Sequence, residues 1–451
     1  MSRIPRPSRF GLIWRESAIL VSFILLLIFS ACGGGGSPSK QTVPKFYPEG
    51  ATVPISGPDV PGAAPFDTGV SNLLKKWNIP GATVAVAKNG RLVLARGYGY
   101  ADFEAKQLMQ PDSMLRIGSN SKVLTSMAIL HLKDQGLINL DAKFLDILTQ
   151  YQVAAGGDQR IRNITIRDLL RHSGGWDRDK SGDPMGIQGT ISKALKIPMP
   201  VLCPDVIRYM MGQPLDFPPG TKQVYSNFGY CILGRIVEKV SGSPYEIYVR
   251  DHVLAAMDIN AMSIGYSQSP SQRGRYEVKY YDYDGAPVVD SVFPGGGKAT
   301  YSYGSFEILT LDSCGGWIGS AIDLTRAMTA IDGSRTGPFL DSETMTEFTA
   351  DPGLPDWNTD QNYWYGLGIF VGPDPQTWYH GGSISGTRSQ LLRDSKGYTW
   401  SIMTNSNSQD PGALGADFDS TMLQALGSGL DGSPTDLYSQ FPSPSLPPRT
   451  H

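Results

Sequence analysis

The sequence predicts a mixed α/β (α+β) fold: an antiparallel sheet flanked by helices and formed from the N- and C-terminal parts of the chain, with a mainly helical lobe inserted between them. Three observations predict it. Residues 82–87 and 92–98 read as strands around Lys88-Asn89-Gly90, and residues 389–393 and 398–404 as strands around Asp394-Ser395-Lys396-Gly397; both connectors carry residues that tolerate positive φ. A helical pattern flanks each hairpin, with Val70, Leu73, Leu74 and Trp77 before the first and residues 418–426 after the second. Between them, apolar residues recur at helical spacing in 122–135, 165–171, 204–211, 229–240, 244–252 and 323–331.

Taken in order, the chain opens with Arg3, Arg6, Arg9 and Arg15 before an almost uncharged apolar stretch, residues 17–31. That stretch is shorter than the ~20 residues that span a bilayer core, so residues 1–31 are expected to be a secretory signal. Phe29-Ser30-Ala31-Cys32 followed by Gly33-Gly34-Gly35-Gly36 resembles a bacterial lipobox. It implies lipidation at Cys32 and a protein exported to the cell envelope and held on the membrane by its N-terminal lipid. Residues 32–65, rich in Gly and Pro without apolar period, are expected to be a flexible tether. The folded body is expected over 66–430, with a sheet lobe at about 66–120 and 375–430 and a helical lobe at about 121–374. Residues 276–310, with Tyr280, Tyr281, Tyr283, Tyr301 and Tyr303 around Gly295-Gly296-Gly297, read as a surface excursion, and 431–451 as a disordered tail.

Composition narrows the function. Hydrophobic residues at 40% and charged residues at 18% of 451 describe a folded body. Lys plus Arg at 39 against Asp plus Glu at 42 leaves no basic surplus for a phosphate backbone, so nucleic acid is not an expected partner. The cysteines beyond Cys32 are Cys203, Cys231 and Cys314, with no C-x-x-C, and the five histidines form no H-x-H or H-E-x-x-H pair. No metal site and no cofactor are expected. Three cysteines permit at most one intramolecular disulfide, and a Cys203–Cys231 pairing is left open.

Candidate chemistry sits in three places. Ser119 and Lys122, in Gly118-Ser119-Asn120-Ser121-Lys122, share a face at the start of an apolar helix. A serine hydroxyl is a weak nucleophile until a neighbouring base takes its proton, and a lysine held out of water can do so, helped by the positive potential of a helix N-terminus. Tyr225-Ser226-Asn227 offers a phenol that can relay a proton beside a cation. His380-Gly381-Gly382-Ser383 precedes the C-terminal strands, where glycines let a substrate lie against the backbone. Singly, each has a bland alternative: Ser119 as a helix cap, Tyr225 as a buried tyrosine, His380 as a turn residue. Trp176, Trp317 and Trp364 are candidates either for core packing or for lining an apolar cleft.

Together and in this order the three pieces resemble the serine β-lactamase and penicillin-binding protein superfamily, in its class C-like branch, which also holds DD-peptidases and family VIII carboxylesterases. Leu140-Asp141, the segment from Ile164 to Gly175, Phe217-Pro218-Pro219-Gly220 and Gly315-Gly316-Trp317 add to the resemblance. It implies that Ser119 becomes acylated, that Lys122 and Tyr225 move protons, and that Asn227 hydrogen-bonds near Lys122 and the substrate. It further implies an oxyanion hole from the backbone N–H groups of Ser119 and Ser383, and substrate contacts from His380, Gly381 and Gly382. His172 is expected to brace the helical region. Many members place Lys-Thr/Ser-Gly at the third motif, and His380-Gly381-Gly382 lacks that fixed cation. The resemblance therefore implies a small-molecule ester or amide substrate, with β-lactamase, cell-wall peptidase and acylated sensor as alternatives. It leaves open whether Lys122 or Tyr225 is the base. No G-x-S-x-G elbow is present for an α/β-hydrolase.

Overall fold

The computed structural model describes residues 39–268, 277–355 and 363–444, so the expected signal segment and Cys32 lie outside the described residues. Both ends of the chain build one large antiparallel sheet. Its strands are β1 (Ile55–Ser56), β2 (Gly81–Lys88), β3 (Arg91–Asp102), β4 (Trp364–Tyr365), β5 (Phe370–Val371), β6 (Trp378–Ile384), β7 (Thr387–Arg393) and β8 (Tyr398–Thr404). They run in the spatial order β1-β3-β2-β8-β7-β6-β5-β4, with Gln107–Leu108 added beside β3. The seam between the two halves is the β2–β8 pair, in register from Lys88↔Tyr398 to Ala82↔Thr404. Asn89 and Gly90 close the first hairpin with φ of 48° and 78°, as a tight two-residue hairpin turn demands.

Among the helices of the described residues, those that bear on the site and the sheet are α1 (Ala64–Trp77), α2 (Ser121–Asp134), α3 (Cys203–Met210), α4 (Asn227–Ser241), α5 (Ala321–Ile331) and α6 (Pro411–Gly427). α1 packs on α6 over one face of the sheet, where Arg388 Nε of β7 donates to Pro411 O at 3.1 Å. α5 covers the other face, and Ser401 Oγ of β8 donates to Ala321 O at 2.7 Å. With both faces covered, every residue of β2 from Gly81 to Ala87 is buried, which is why 82–87 reads as a continuous apolar run rather than an alternating one.

Four expectations are corrected. Residues 40–65 are not a free tether: β1 pairs with β3, Tyr47 Oη donates to Pro80 O at 2.5 Å, and the Phe46 ring lies edge-on to Phe103 and Tyr281 at 4.9 and 5.3 Å. Single aromatic anchors order a Gly/Pro-rich segment without any period to announce it. The described part of the expected tail, residues 431–444, docks likewise; Leu437 and Tyr438 are buried, and Arg326 and Arg335 lie over the Tyr438 ring at 4.7 and 4.4 Å. The aromatic stretch is a surface excursion only in its middle, where 294–298 are exposed; its ends face inward, with Tyr280, Tyr281, Phe306 and Ile308 buried and the Arg116 guanidinium 4.1 Å from the Tyr280 ring. The lobe limits shift as well, because β1, β4 and β5 extend the sheet beyond 66–120 and 375–430, while α5, expected in the helical lobe, packs on the sheet.

Cys203 and Cys231 form a disulfide that ties α3 to α4, the helix that begins at Asn227. Its sequence separation is 28, and closing a loop of that size restricts the unfolded chain. Replacing both cysteines by alanine is therefore expected to lower stability by roughly 3–4 kcal/mol. Urea unfolding with and without a reductant checks this: reduction should shift the native protein's midpoint and leave the double variant's unmoved.

Candidate active site

Ser119 lies on a single turn, Gly118–Asn120, that runs directly into α2. Gly118 has φ +55°, and a Cβ there would lie 2.9 Å from the Ser383 backbone nitrogen, so both conformation and space require glycine. β7 straps the turn from one side: Asn120 Nδ2 donates to Ser389 Oγ, and Ser389 Oγ to Ile117 O, each at 2.8 Å. The Ser313-Cys314-Gly315-Gly316-Trp317 segment holds α2 from the other. Thr125 Oγ1 donates to Ser313 O at 2.6 Å, and the Trp317 N–H to Ser121 Oγ at 3.2 Å. Ser119 stays 6% exposed and Lys122 is fully buried.

A buried ammonium is tolerated only when its donors are all used. Lys122 Nζ uses three, to Cys314 O at 2.6 Å, Asn227 Oδ1 at 2.7 Å and Ser119 Oγ at 3.2 Å. Asn227 reaches this point because Ser226 caps α4, accepting from the Gly229 N–H at 3.2 Å. Its Nδ2 donates to Asp183 Oδ2 at 2.6 Å. The amide orientation is fixed by chemistry, since an ammonium can only donate and a carboxylate only accept. Lys122 Nζ lies 4.8 Å from the centre of the Tyr225 ring, and the Arg178 guanidinium carbon 5.0 Å from it. Ser119, Lys122, Tyr225 and Asn227 are thus brought together.

His172 packs against Tyr225 with ring centres 4.3 Å apart and the planes tilted by 42°, and its Nδ1 accepts from the Ser226 N–H at 3.2 Å. Burial, and next the Lys122 charge, push its pKa well below the usual histidine value. It remains neutral and so able to accept, bracing the Tyr225–Asn227 backbone.

The third motif is built differently from the expectation. His380, on β6, is 1% exposed. Its Nδ1 faces Gly381 O at 2.9 Å, so it carries the proton, and its Nε2 accepts from Tyr365 Oη at 3.1 Å. Burial first, and then the Lys122 charge, depress its pKa to about 3. His380 is therefore a neutral element of the wall behind the cleft, not a group on its surface. The glycines have a packing reason within the protein. A Cβ on Gly382 would lie 2.0 Å from Ile117 O, and one on Gly381 would meet Arg388 and Gln390 at 3.0 Å. The missing side chains let β6 meet the nucleophile turn and β7.

The histidine makes a pH prediction. Because the folded protein keeps His380 neutral down to about pH 3 while the unfolded chain protonates near 6.5, the native state binds fewer protons across that window. Stability contributed by this group is complete above pH 6.5 and falls on acidification, by up to about 4–5 kcal/mol. His380→Gln is expected to flatten the urea midpoint between pH 6.5 and 4, leaving the slope of the same sign that His172 contributes. An unchanged slope would contradict the burial argument.

Ser119 and Ser383 line one cleft with Gly118, Gly315 and Asn227. Met185, Phe306, Leu311 and Ile384 form its apolar wall, and Asp183 also lines it. Trp176 and Trp317 are core residues, Trp364 is half-buried with Nε1 donating to Thr349 O at 2.8 Å, and none of the three lines this cleft. Sequence reasoning missed Asp183, Arg178 and the Cys314 carbonyl. Only Asp183 left a trace, as an acid in a Pro/Gly turn, Asp183-Pro184-Met185-Gly186, within an otherwise helical stretch. Among the described residues no cluster of side chains could hold a metal ion.

Comparison with known proteins finds similar chains and similar folds. The family model described as Beta-lactamase matches residues 66–419. The "Protein flp" of Staphylococcus aureus (strain MW2) is 30% identical over 224 residues, which are 49% of this chain and 42% of flp. The chain thus spans less than half the length of that relative. Among solved structures, an octameric penicillin-binding protein homologue from Pyrococcus abyssi superposes with a TM-score of 0.62 at 22% identity, covering 81% of this chain and 77% of its own. EstCE1, described as a hydrolase with promiscuous acyltransferase activity, superposes with a TM-score of 0.62 at 18% identity, covering 80% of this chain and 98% of its own. At these identities the two structures show a shared fold.

Proposed function

The chain belongs to the beta-lactamase family, and from that premise we propose that it is a serine hydrolase of the class C-like branch, cleaving carboxylic esters or related amides through an acyl-enzyme on Ser119. The observation that carries the reading is the buried Lys122 ammonium, hydrogen-bonded at 3.2 Å to Ser119 Oγ and held by Asn227 and Cys314 O. As Ser119 Oγ bonds to the carbonyl carbon, its proton passes to the Lys122–Tyr225 pair, which acts as the base in the form that holds one proton fewer than ammonium plus phenol. The tetrahedral oxyanion is received by the backbone N–H groups of Ser119 and Ser383, two residues that line the same cleft. The leaving group departs with a proton returned by the pair. Water, deprotonated by the same pair, then releases the acid and restores the Ser119 hydroxyl.

Esters are favoured over β-lactams and cell-wall peptides because those substrates carry a carboxylate, and the neutral, buried His380 offers it no charge. We further propose that the protein is exported and lipid-anchored at Cys32; the N-terminal pattern supports this, as does a disulfide of the kind that persists in oxidising compartments.

A fluorophosphonate probe with peptide mapping tests the reading, run beside p-nitrophenyl butyrate, nitrocefin and a D-Ala-D-Ala peptide. The expected result is an adduct on Ser119 and fastest turnover of the ester. An adduct elsewhere overturns the reading. Faster nitrocefin hydrolysis moves it to a β-lactamase, and a stable adduct without turnover of any substrate to a sensor.

A further inference from the structure

Asp183 stands apart in the cleft. Of the side chains lining it, only Asp183 and Cys314 are ionisable, and burial pushes the Cys314 thiol up to about 12, so it is neutral. The cleft surface therefore carries one carboxylate. Its oxygens accept from the Asn227 amide at 2.6 Å and from the Met185 N–H at 3.0 Å, which leaves each able to accept again. Among the described residues no cation lies within ion-pair distance of it. Lys122 is linked to it only through the Asn227 amide, and none of that side chain's three donors is spent on Asp183. Arg178 lies against the Tyr225 ring and Arg388 donates to Gly382 O at 2.8 Å from behind β6, and neither lines the cleft.

The distances place this charge close to the reacting bond. Asn227 touches both Asp183 Oδ2 and Lys122 Nζ, and Lys122 touches Ser119 Oγ. A group two or three bonds from a carbonyl carbon seated on Ser119 comes within reach of Asp183, while an apolar substituent on the same carbon meets Met185, Phe306, Leu311 or Ile384. We infer that the cleft selects acyl donors bearing an ammonium group beside the scissile carbonyl and an apolar side chain, with Asp183 as the residue that reads the ammonium. An amine brought to this carboxylate replaces the water it loses with a charge-assisted hydrogen bond, whereas a substrate carboxylate placed against Asp183 meets like charge.

The inference rests on the reading of Ser119 as nucleophile, and its test separates the two. Three p-nitrophenyl esters share a benzyl group and differ at one carbon: phenylalanine (ammonium), 3-phenylpropanoate (hydrogen) and the benzylmalonate half-ester (carboxylate). They are assayed at a pH where the amine is protonated, with Ser119→Ala as blank. The expected order of kcat/KM is ammonium over hydrogen over carboxylate. The first ratio should be about ten- to a hundredfold, the scale of one hydrogen bond to a charged group, and should shrink as salt rises. In Asp183→Asn that ratio should fall to near one, and in Asp183→Glu it should be partly restored. Using the ratio removes any loss common to both substrates, including a shift of Asn227. A flat or inverted order in the native enzyme, or a ratio untouched by Asp183→Asn, overturns the inference while leaving the hydrolase reading in place. Equal release with the Ser119→Ala blank overturns the hydrolase reading itself.

Discussion

Alanine at position 119 is expected to lower ester turnover by about 10⁴- to 10⁶-fold, the loss that follows removal of a nucleophile acting as a unit with its base. The fold should survive it. Ser119 Oγ makes the longest of the three hydrogen bonds from Lys122, at 3.2 Å, and the other two, at 2.6 and 2.7 Å, remain. The site is also slightly open, at 6% exposure. The urea midpoint should therefore correspond to a change of about 1 kcal/mol or less. Steady-state kinetics beside urea unfolding checks both halves, and retention of more than about a hundredth of the native rate would mean that acylation occurs elsewhere.

Alanine at position 382 is expected to do the opposite, damaging stability and activity together. Its Cβ would lie 2.0 Å from Ile117 O and 2.3 Å from Ser389 Oγ. The first is backbone and cannot rotate away, and the second is the atom that straps the nucleophile turn to β7 through Asn120 and Ile117. β6 or the turn must move, and overpacking of this kind costs roughly 1–3 kcal/mol or more. Because the turn carries Ser119 and β6 carries Ser383, a shift of about 1 Å separates the nucleophile from the oxyanion donors and is expected to cost on the order of 100-fold in kcat/KM. Gly381→Ala makes the comparison, since there the added methyl meets the ends of Arg388 and Gln390 at 3.0 Å, and side-chain ends can give way. A milder effect at 381 than at 382, in both urea midpoint and rate, is the expected result.

Much of this was legible in the sequence where a short-range rule governs it. The β2–β3 turn follows from Asn89-Gly90, α2 and α4 from apolar spacing, and the placing of Ser119 beside Lys122 from a separation of three on one helix face. Asn227 near Lys122 followed from the resemblance rather than from spacing, because 105 residues separate them. The ordered 40–65 and 431–444 segments were not legible, since isolated anchors such as Phe46 and Tyr438 leave no periodic trace. Nor was the role of Gly382, for a glycine's reason lies in what packs against it.

By itself, then, the sequence determined the kinds of element, the motif order and the chemistry those residue types permit. Backbone propensity and apolar period act over a few residues, and they are written there. Only the tertiary structure decided which of those residues face one another. It turned His380 from a substrate contact into a neutral wall residue, because the Tyr365 hydroxyl and the Gly381 carbonyl meet it out of water. It also brought Asp183, in no motif at all, to the cleft that Ser119 shares. Charge and burial at a site are sums over neighbours distant in the chain, and those neighbours exist only once the sheet has closed around β2 and β8.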